Sequence, residues 1–309
     1  MFRILVVRLG SMGDVIHALP AVASLKHSFP HSRLSWVIKP RWAPLLEGNP
    51  FVDEIIPFTR SAREILATRR LLRRERFELA VDLQGLIQSA LVAASARADK
   101  IVGLARSQAR ESFAAMFYSS AIRTSAVHRV DRYLELVAAA GASNLLRTFP
   151  LPPGKPEGTL PEEPFVLACP LAGWGSKQWP MDHYTELARL LKMPLVVNGP
   201  QDAFDVLSQI KGAHVHLSGL EGLIDATRRA QAIVGVDSGP VHLAAALGKP
   251  GVAIYGPTDP ASHGPYGGTL QVLRSSNAVT SYKRRAPDLG SMRAVSVAEV
   301  LEALEMCPA

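Results

Sequence analysis

The chain has 309 residues and a formal net charge of +7, and hydrophobic residues make up 48% of it. This length allows two domains of ordinary size, and the composition is typical of a globular protein that buries its own cores. No apolar run approaches the roughly 20 residues that cross a bilayer, the first residues lack a signal-peptide pattern, and only two cysteines, Cys169 and Cys307, are present. These features exclude a membrane-spanning protein and a disulfide-framework protein, and we expect a cytoplasmic location.

The positive charge is concentrated in the first half of the chain. Residues 1–150 carry 21 Lys and Arg against 12 Asp and Glu, a net of +9, whereas residues 151–309 carry 13 against 15, a net of −2. A basic first half predicts an anionic partner, for which the candidates are nucleic acid, an anionic membrane surface and a phosphorylated substrate.

Short apolar runs alternate with helical patterns through the first half. The predicted strands are, in order, FRILVV, RLSWVI, VDEIIPF, LAVDL and IVGLA. The predicted helices are DVIHALPAVASLKHSF, SAREILATRRLLRRERF, GLIQSALVAASA and HRVDRYLELVAAAG, the last of which ends at Gly141. Alternation of this kind indicates a parallel sheet with helices on both faces.

A Pro- and Gly-rich stretch over residues 148–164, TFPLPPGKPEGTLPEEP, interrupts the alternation and is the predicted linker. Beyond it the predicted strands are PFVLACPL, PLVVNG, VHLSG, AIVGVD, PGVAIYG and LQVLRS, and the predicted helices are MDHYTELARLL, QDAFDVLSQIKG, GLIDATRRAQA, SGPVHLAAALG and SVAEVLEALEMC. We therefore predict an α/β fold of two Rossmann-like, doubly wound domains, 1–150 and 151–309, facing each other across a cleft. The final helix can pack back on the first domain.

The first predicted strand runs into the first helix through RLGSMGDVIHALP, residues 8–20. Gly10 and Gly13 leave room for a group to approach this turn, and Asp14 is its one acid. A carboxylate near a helix N-terminus is stabilised by the helix dipole, so we expect Asp14 to cap the helix and to stay ionised.

The sharpest local signal of the second half is AIVGVDSGPVHLAAALGKP, residues 232–250. Ser238 can cap a helix, and Gly239 removes a side chain where another group comes close. The first-turn amides and the helix dipole make an anion site, although the segment equally fits an ordinary capped turn. The next predicted strand then ends in a Gly-Pro loop, YGPTDP, at the same edge of the sheet.

Two further strand ends carry candidate ligand-binding residues. In PLAGWGSKQWP, residues 170–180, Lys177 follows a Gly-rich loop and suits a diphosphate, or is simply a surface lysine. In VVNGPQDAF, residues 196–204, Asp202 can accept hydrogen bonds from ribose hydroxyls or cap the next helix.

Several common motifs are absent from the sequence. There is no GxGxxG, no Walker lysine loop, no GxSxG elbow, no Asp-x-Asp pair and no metal-ligand spacing. These absences weigh against a nicotinamide dehydrogenase, a P-loop NTPase and a hydrolase. An arginine run over residues 60–76 contains no aromatic residue, which favours a solvated, acceptor-binding or membrane-facing helix over RNA binding.

Taken together, RLGSMGDVIHALPA, DLQGLIQSA, the SKQWP segment, VDSGPVHLAAALGKP and YGPTDP resemble the bacterial ADP-heptose:lipopolysaccharide heptosyltransferases of glycosyltransferase family 9, most of all those of type I. The resemblance covers most of the chain and implies a GT-B fold. It also implies an inverting, metal-independent transfer in which ADP-heptose is a substrate, no cofactor is needed, and a Kdo sugar of the lipopolysaccharide inner core is the acceptor.

The resemblance further implies roles for individual residues. Asp14 corresponds to the proposed catalytic base of the family. The implied donor-binding residues are Gly173, Lys177, Asp202, Asp237, Ser238, Gly239 and His242. Asp202 stands where Glu is expected, and Ala172 and Gly173 stand where threonines are expected, so diphosphate contacts there are expected from backbone amides.

The implied acceptor is an anionic glycolipid at the inner face of the cytoplasmic membrane. The acceptor-binding candidates are Ser11, Gly13, Arg60, Arg63, Arg110 and Arg132. We expect a monomer that contacts the membrane transiently and binds no nucleic acid. Two alternatives stay open: another GT-B enzyme, either a glycosyltransferase or an epimerase that uses UDP, and a non-enzymatic binder of anionic surfaces or RNA.

Overall fold

The structure is a computed structural model that describes residues 1–59, 61–281 and 290–307. The chain splits into two compact units, Met1–Pro152 and Pro153–Ala309. Within the described ranges, no helix is both long enough and apolar enough to cross a membrane.

The first unit is built on a six-stranded parallel sheet with the strand order β3-β2-β1-β4-β5-β6. Its strands are β1 Arg3–Val7, β2 Arg33–Ile38, β3 Glu54–Pro57, β4 Leu79–Asp82, β5 Lys100–Leu104 and β6 Ser120–Ile122. Its helices are α1 Met12–Ser28, α2 Ala62–Arg74, α3 Ile87–Ser95 and α4 Arg129–Ala140, with 3₁₀ turns at Pro40–Leu46 and Ser112–Phe117.

The second unit repeats this plan with the strand order β12-β11-β10-β7-β8-β9, again all parallel. Its strands are β7 Val166–Cys169, β8 Leu195–Gly199, β9 His214–Leu217, β10 Ala232–Val236, β11 Gly251–Tyr255 and β12 Leu270–Arg274. Its helices are α5 Met181–Leu190, α6 Phe204–Leu207, α7 Leu220–Arg229, α8 Gly239–Ala246, α9 Pro260–His263 and α10 Val297–Glu305. The predicted α/β fold with two doubly wound sheets is confirmed.

The central strands are buried on both faces, which is why they appear in the sequence as continuous apolar runs. In β1, Ile4, Leu5, Val6 and Val7 are all fully buried. Local signals set the helix ends: α4 stops at Gly141, whose φ of +118° is a conformation that glycine adopts at little cost. The residues that are buried in β1 and the glycine that ends α4 are therefore the ones that the sequence pattern predicted.

In each sheet the chain adds its first three strands toward one edge, returns to the middle, and adds the next three toward the other edge. In the first unit the resulting switch point lies between β1 and β4, and in the second between β7 and β10. Ligands of open α/β sheets bind in the crevice beyond the carboxyl ends of the two strands that flank such a point. The loops that follow β1, β4, β7 and β10 are therefore where functional residues are expected.

Some elements differ from the sequence prediction. The three-residue β6 was not predicted, because it is too short to show a period. The segment QDAFDVLSQIKG was predicted as one helix, but α6 has only four residues and follows a short 3₁₀ turn. The final helix α10 lies in the core of the second unit, where Val300 and Ala303 are buried with Val252 and Ile254 of β11.

The second part of the predicted linker is bound to the second unit. The Glu157 carboxylate accepts hydrogen bonds from the backbone N–H of Gly219 (2.6 Å) and of Gly222 (3.1 Å) at the start of α7. The ring of His216 contacts the backbone carbonyl of Glu157 through Nε2 at 2.7 Å. Glu157 thus caps a helix distant in sequence, satisfying N–H groups that the helix itself leaves unpaired.

Candidate functional site

Asp14 lies in the first turn of α1, at the switch point of the first unit. Its Oδ2 atom accepts hydrogen bonds from the backbone N–H (3.1 Å) and the hydroxyl (3.0 Å) of Ser11, which is the N-cap of the helix. Its Oδ1 atom lies 2.5 Å from Nη2 of Arg8. Both carboxylate oxygens are therefore fixed, and the side chain retains 20% of its accessible surface.

Arg8 is the partner of Asp14 that the sequence analysis missed. Its side chain is 2% exposed, and its Nη1 donates a 2.8 Å hydrogen bond to the carbonyl of Leu83, directly after β4. The guanidinium also lies over the ring of Tyr133 in α4, 5.7 Å from the centroid. Arg8 thus joins the ends of β1 and β4, and a charged residue placed directly after a buried strand was the signal that could have identified it.

The surroundings of Asp14 keep it ionised. Burial raises the pKa of the Asp14 carboxyl, but the charges of Arg8, Arg129 and His17 and the Ser11 N–H together lower it well below its ordinary value. The lowered pKa favours the ionised carboxylate, and the nearby cations are the largest of the influences that lower it.

The loop after β4 supports the loop that carries Asp14. The side-chain oxygen of Gln84 accepts a 2.7 Å hydrogen bond from the N–H of Leu9. Asp82, which is fully buried, accepts hydrogen bonds from the N–H of Gln84 and the hydroxyls of Ser89 and Tyr118. Burial, only partly offset by these bonds, raises the pKa of Asp82. The DLQG segment, residues 82–85, therefore holds in place the loop that carries Asp14.

The two glycines of the opening loop have different environments from those expected. At Gly10, with a φ of +136°, an added Cβ would lie 2.5 Å from Nε1 of Trp42, so this space is filled by an indole rather than left for a ligand. Gly13 is buried inside α1. Close packing, rather than ligand access, explains the glycine at position 10.

The arginines implied as acceptor contacts lie on separate elements. Arg63 is exposed on α2, and Arg110 is exposed beside the loop of Gly85. Arg132, in α4, is half-buried, and its Nε donates to Thr124 at 3.3 Å. Burial, followed by repulsion from Arg129 of the same helix, lowers the pKa of Arg132. Arg60 lies outside the described residues.

A second charged cluster lies at the switch point of the second unit. Nζ of Lys177, in the loop after β7, lies 2.5 Å from Oδ2 of Asp237, directly after β10. The hydroxyl of Thr258 donates to the same oxygen, and Nε2 of His242 lies 4.0 Å from Oδ1. The structure thus brings Lys177, Asp237 and His242 together, and it adds Thr258 from the YGPTDP segment.

The loop that carries Lys177 provides further polar groups. Nζ of Lys177 lies 4.4 Å from the centroid of the Trp174 ring. The hydroxyl oxygens of Ser176 and Ser238 are buried and have no hydrogen-bond partner within the described ranges. Buried hydroxyls without partners are costly, so two of them beside a lysine are consistent with oxygens of a ligand.

The remaining predicted donor residues follow the carboxyl ends of strands of the same sheet. Gly239 is the first residue of α8, whose N-cap is Ser238. Gly173 is exposed, and an added Cβ there would meet open space. Asp202 is exposed in the 3₁₀ turn after β8, one strand further from the switch point than Lys177. Across residues 1–59, 61–281 and 290–307, no three His, Cys, Asp or Glu side chains are grouped to hold a metal ion.

Comparison with known proteins gives consistent matches. The model of glycosyltransferase family 9 (heptosyltransferase) matches residues 65–290. The chain is 31% identical over 296 residues to lipopolysaccharide heptosyltransferase 1 of Pseudomonas aeruginosa, covering 86% of this chain and 81% of that protein. It is 29% identical over 307 residues to the Escherichia coli K12 protein of the same name, covering 88% and 93%.

A solved structure shares the architecture of both units. E. coli heptosyltransferase WaaC with ADP-2-deoxy-2-fluoro heptose aligns with a TM-score of 0.77 and 25% identity, covering 97% of this chain and 98% of that one. The GT-B fold class expected from the sequence motifs is therefore confirmed.

Proposed function

This chain belongs to glycosyltransferase family 9, and we propose that it transfers heptose from ADP-heptose to a Kdo sugar of the lipopolysaccharide inner core. The observation that carries the proposal is the Asp14 carboxylate, ionised and held by Arg8 at the switch point of one sheet, while a lysine and a helix N-terminus occupy the switch point of the other. These are the two functions that an inverting transfer needs: a base for the acceptor and a cationic site for the leaving group.

We assign the donor to the second unit, residues 151–309 in the domain division expected from sequence. Lys177 is the cation for the diphosphate, and the N–H groups that begin α8 add partial positive charge. The hydroxyls of Ser176 and Ser238 supply hydrogen bonds, and Asp202 is placed at the ribose. Asp237 and His242 contact the sugar side, with Thr258 and Lys177 fixing Asp237.

We assign the acceptor and the base to the first unit, residues 1–150. The acceptor hydroxyl oxygen forms a bond to the anomeric carbon while the bond from that carbon to the ADP oxygen breaks. The hydroxyl proton passes to Asp14, and ADP leaves with the electron pair, so attack opposite to the leaving group inverts the anomeric centre. Since Lys177 and the α8 amides meet the charge that develops on ADP, the proposal requires no metal ion.

The acceptor carries phosphates and carboxylates, which fits the net charge of +9 over residues 1–150. Ser11 and Gly13 lie next to Asp14, the proposed catalytic base. The proposed contacts to the acceptor anions are Arg60, Arg63, Arg110 and Arg132. Because such an acceptor is anchored in the inner membrane, we propose that the enzyme works at its cytoplasmic face. We also propose that it does so as a monomer.

The experiment that tests this proposal is a transfer assay with ADP-heptose and deacylated Kdo-lipid A, in which the glycosylated product is measured by mass spectrometry. The unsubstituted protein should transfer heptose with and without a chelator. Asp14→Asn should lower kcat by about 10² or more, because the proton acceptor is lost. ADP affinity, measured by calorimetry, should stay unchanged, since the donor residues belong to the other unit.

The matched control for this variant is Asp99→Asn. Asp99 is a carboxylate of the same unit that pairs with exposed Arg76, and 49% of its side-chain surface is accessible. This variant should transfer normally. Transfer by Asp14→Asn within threefold of the control would exclude Asp14 as the base, and a preference for UDP over ADP would favour the alternative GT-B enzymes.

A further inference from the structure

We propose that one face of the first unit docks on an anionic lipid bilayer. This docking face consists of Ile87 and Leu91 on α3 and of Phe113 and Met116 on the neighbouring 3₁₀ turn, bordered by the arginines of α2. This proposal rests on the proposed function, because an enzyme whose acceptor is anchored in a lipid bilayer must reach that bilayer. Its basis is the exposure and charge of these residues.

The apolar part of the docking face is exposed and is carried by two elements that pack against each other. The exposed fractions are 56% for Phe113, 76% for Met116, 48% for Leu91 and 37% for Ile87. The two elements that carry them pack together through small buried residues, Ala90 of α3 and Ala114 of the 3₁₀ turn. Four large apolar side chains presented by adjoining elements are unusual on a protein surface unless they meet a partner.

The border of the docking face is strongly basic. Helix α2 packs against α3, and it carries five arginines against a single acid, Glu64. Only Thr68 and Leu72 of its described side chains are buried, so the arginines face outward together with Leu66, which is 52% exposed. A further arginine lies within the face itself: the Arg106 guanidinium is 5.6 Å from the ring centroid of Phe113.

This combination matches an anionic bilayer better than it matches a protein. Guanidinium groups on long stems can remain at the phosphate level while the apolar side chains beside them enter the acyl boundary. Basic residues next to a membrane gain about 1 kcal/mol each from anionic lipids, which corresponds to about fivefold in binding. The positive charge and the apolar surface thus favour the same occupant.

The docking face is also tied to the loops that hold Asp14. The N–H of Ile87 donates to the carboxylate of Glu111 at 2.7 Å, and the N–H of Glu111 donates to the carbonyl of Gly85 at 2.9 Å. Gln84, next in the chain, holds Leu9. A bilayer bound at this face would therefore lie beside the acceptor side of the proposed reaction, where lipid-anchored sugars arrive.

The test is co-sedimentation of the full chain with vesicles of phosphatidylglycerol and phosphatidylethanolamine, compared with vesicles of phosphatidylcholine. The docking variant is Phe113→Ser with Met116→Ser. Its matched control is Phe204→Ser with Met306→Ser, on the second unit, where these side chains are 54% and 63% exposed. We expect about tenfold weaker binding to anionic vesicles for the docking variant and unchanged binding for the control.

A second variant, Arg69→Gln with Arg70→Gln, should weaken binding by about fivefold per arginine and reduce its salt dependence. Because all four substituted positions are exposed, the thermal unfolding temperature should stay unchanged. Equal binding of the unsubstituted chain to anionic and neutral vesicles would overturn the proposal, as would equal binding of the docking and control variants. Absence of vesicle binding would do the same and would leave the face to a protein partner.

Transfer assays separate this proposal from the proposed function. The docking variant should transfer normally to the deacylated, water-soluble acceptor and poorly to the same sugars anchored in anionic vesicles. If the unsubstituted chain fails with the soluble acceptor, the proposed function is wrong, whatever the vesicle result. If it transfers, and the docking variant loses no activity on vesicles, the docking face is wrong and the proposed function stands.

Discussion

Replacing Arg8 with Gln tests how the first unit holds Asp14. The substitution removes a buried cation that contacts both Oδ1 of Asp14 and the carbonyl of Leu83. Burial raises the pKa of the Asp14 carboxyl, and Arg8 is the first of the charges that overcome this effect, followed by Arg129 and His17. In Arg8→Gln only the last two remain, so the pKa of Asp14 should rise.

The magnitude follows from the contact. A cation at this distance lowers the pKa of a carboxyl by roughly 1 to 3, and each unit is worth about 1.4 kcal/mol of stability. The loss at neutral pH is therefore about 1.5 to 4 kcal/mol. Since the pKa of Asp14 is lower in the folded than in the unfolded chain, this stability is fully present above the unfolded value of about 4 and is lost as the pH falls from there through the lower folded value.

The assay is urea unfolding of the two proteins at pH 7 and at pH 2. The difference in unfolding free energy should be largest at pH 7 and should narrow clearly at pH 2, because the two proteins share the unfolded pKa and their difference is lost only below the folded pKa of the variant. Arg8→Lys should recover part of it, because the charge is kept and only the fork geometry is lost. Arg3→Gln is the control: it breaks a half-exposed pair of the same strand with Glu75 and should cost at most about 1 kcal/mol. A difference of equal size at both pH values would refute the ionic role assigned to Arg8.

Two other substitutions test single contacts. Ser238→Ala removes a buried hydroxyl that has no partner in the described part of the chain, so the unfolding free energy should rise by about 1 to 3 kcal/mol. Its ADP affinity by calorimetry should fall roughly fivefold, and an unchanged affinity would remove Ser238 from the donor site. Glu157→Ala leaves two N–H groups of α7 uncapped and should cost about 1 to 2 kcal/mol in thermal unfolding. Glu163→Ala, exposed in the same linker, should cost nothing measurable, and equal melting temperatures of the two variants would show that the cap has no energetic value.

Much of the fold could be predicted because its signals are local. Strand β1 is buried on both faces and therefore shows a continuous apolar run. Helix α4 ends at Gly141, whose positive φ favours glycine. The candidate loops around Asp14 and Lys177 were predicted from their local motifs, whereas the strand orders, which put both loops at switch points, are known only from the structure. Short elements such as β6 carry too few residues to show any period.

The missed residues share a different cause. Arg8 and Thr258 act on carboxylates that lie near them only after the sheets have formed: Thr258 follows β11 and reaches Asp237, which follows β10. No spacing in the sequence encodes a contact across neighbouring strands. Similarly, the exposure of Phe113 could not be predicted, since an apolar residue in an irregular segment is more often buried.

The strongly lowered pKa of Asp14 has a consequence for the chemistry that the site can support. A carboxylate paired with Arg8 is a weak base, and a weak base cannot take a proton from a neutral sugar hydroxyl before that hydroxyl reacts. Once the new bond to the anomeric carbon begins to form, the attacking oxygen becomes positively charged and far more acidic than a carboxylic acid. In the proposed reaction, proton transfer to Asp14 is therefore favourable late in the step. Pairing with Arg8 lowers the base strength of Asp14 but keeps its carboxylate ionised and oriented, which suits a displacement in which the bond to the diphosphate breaks early.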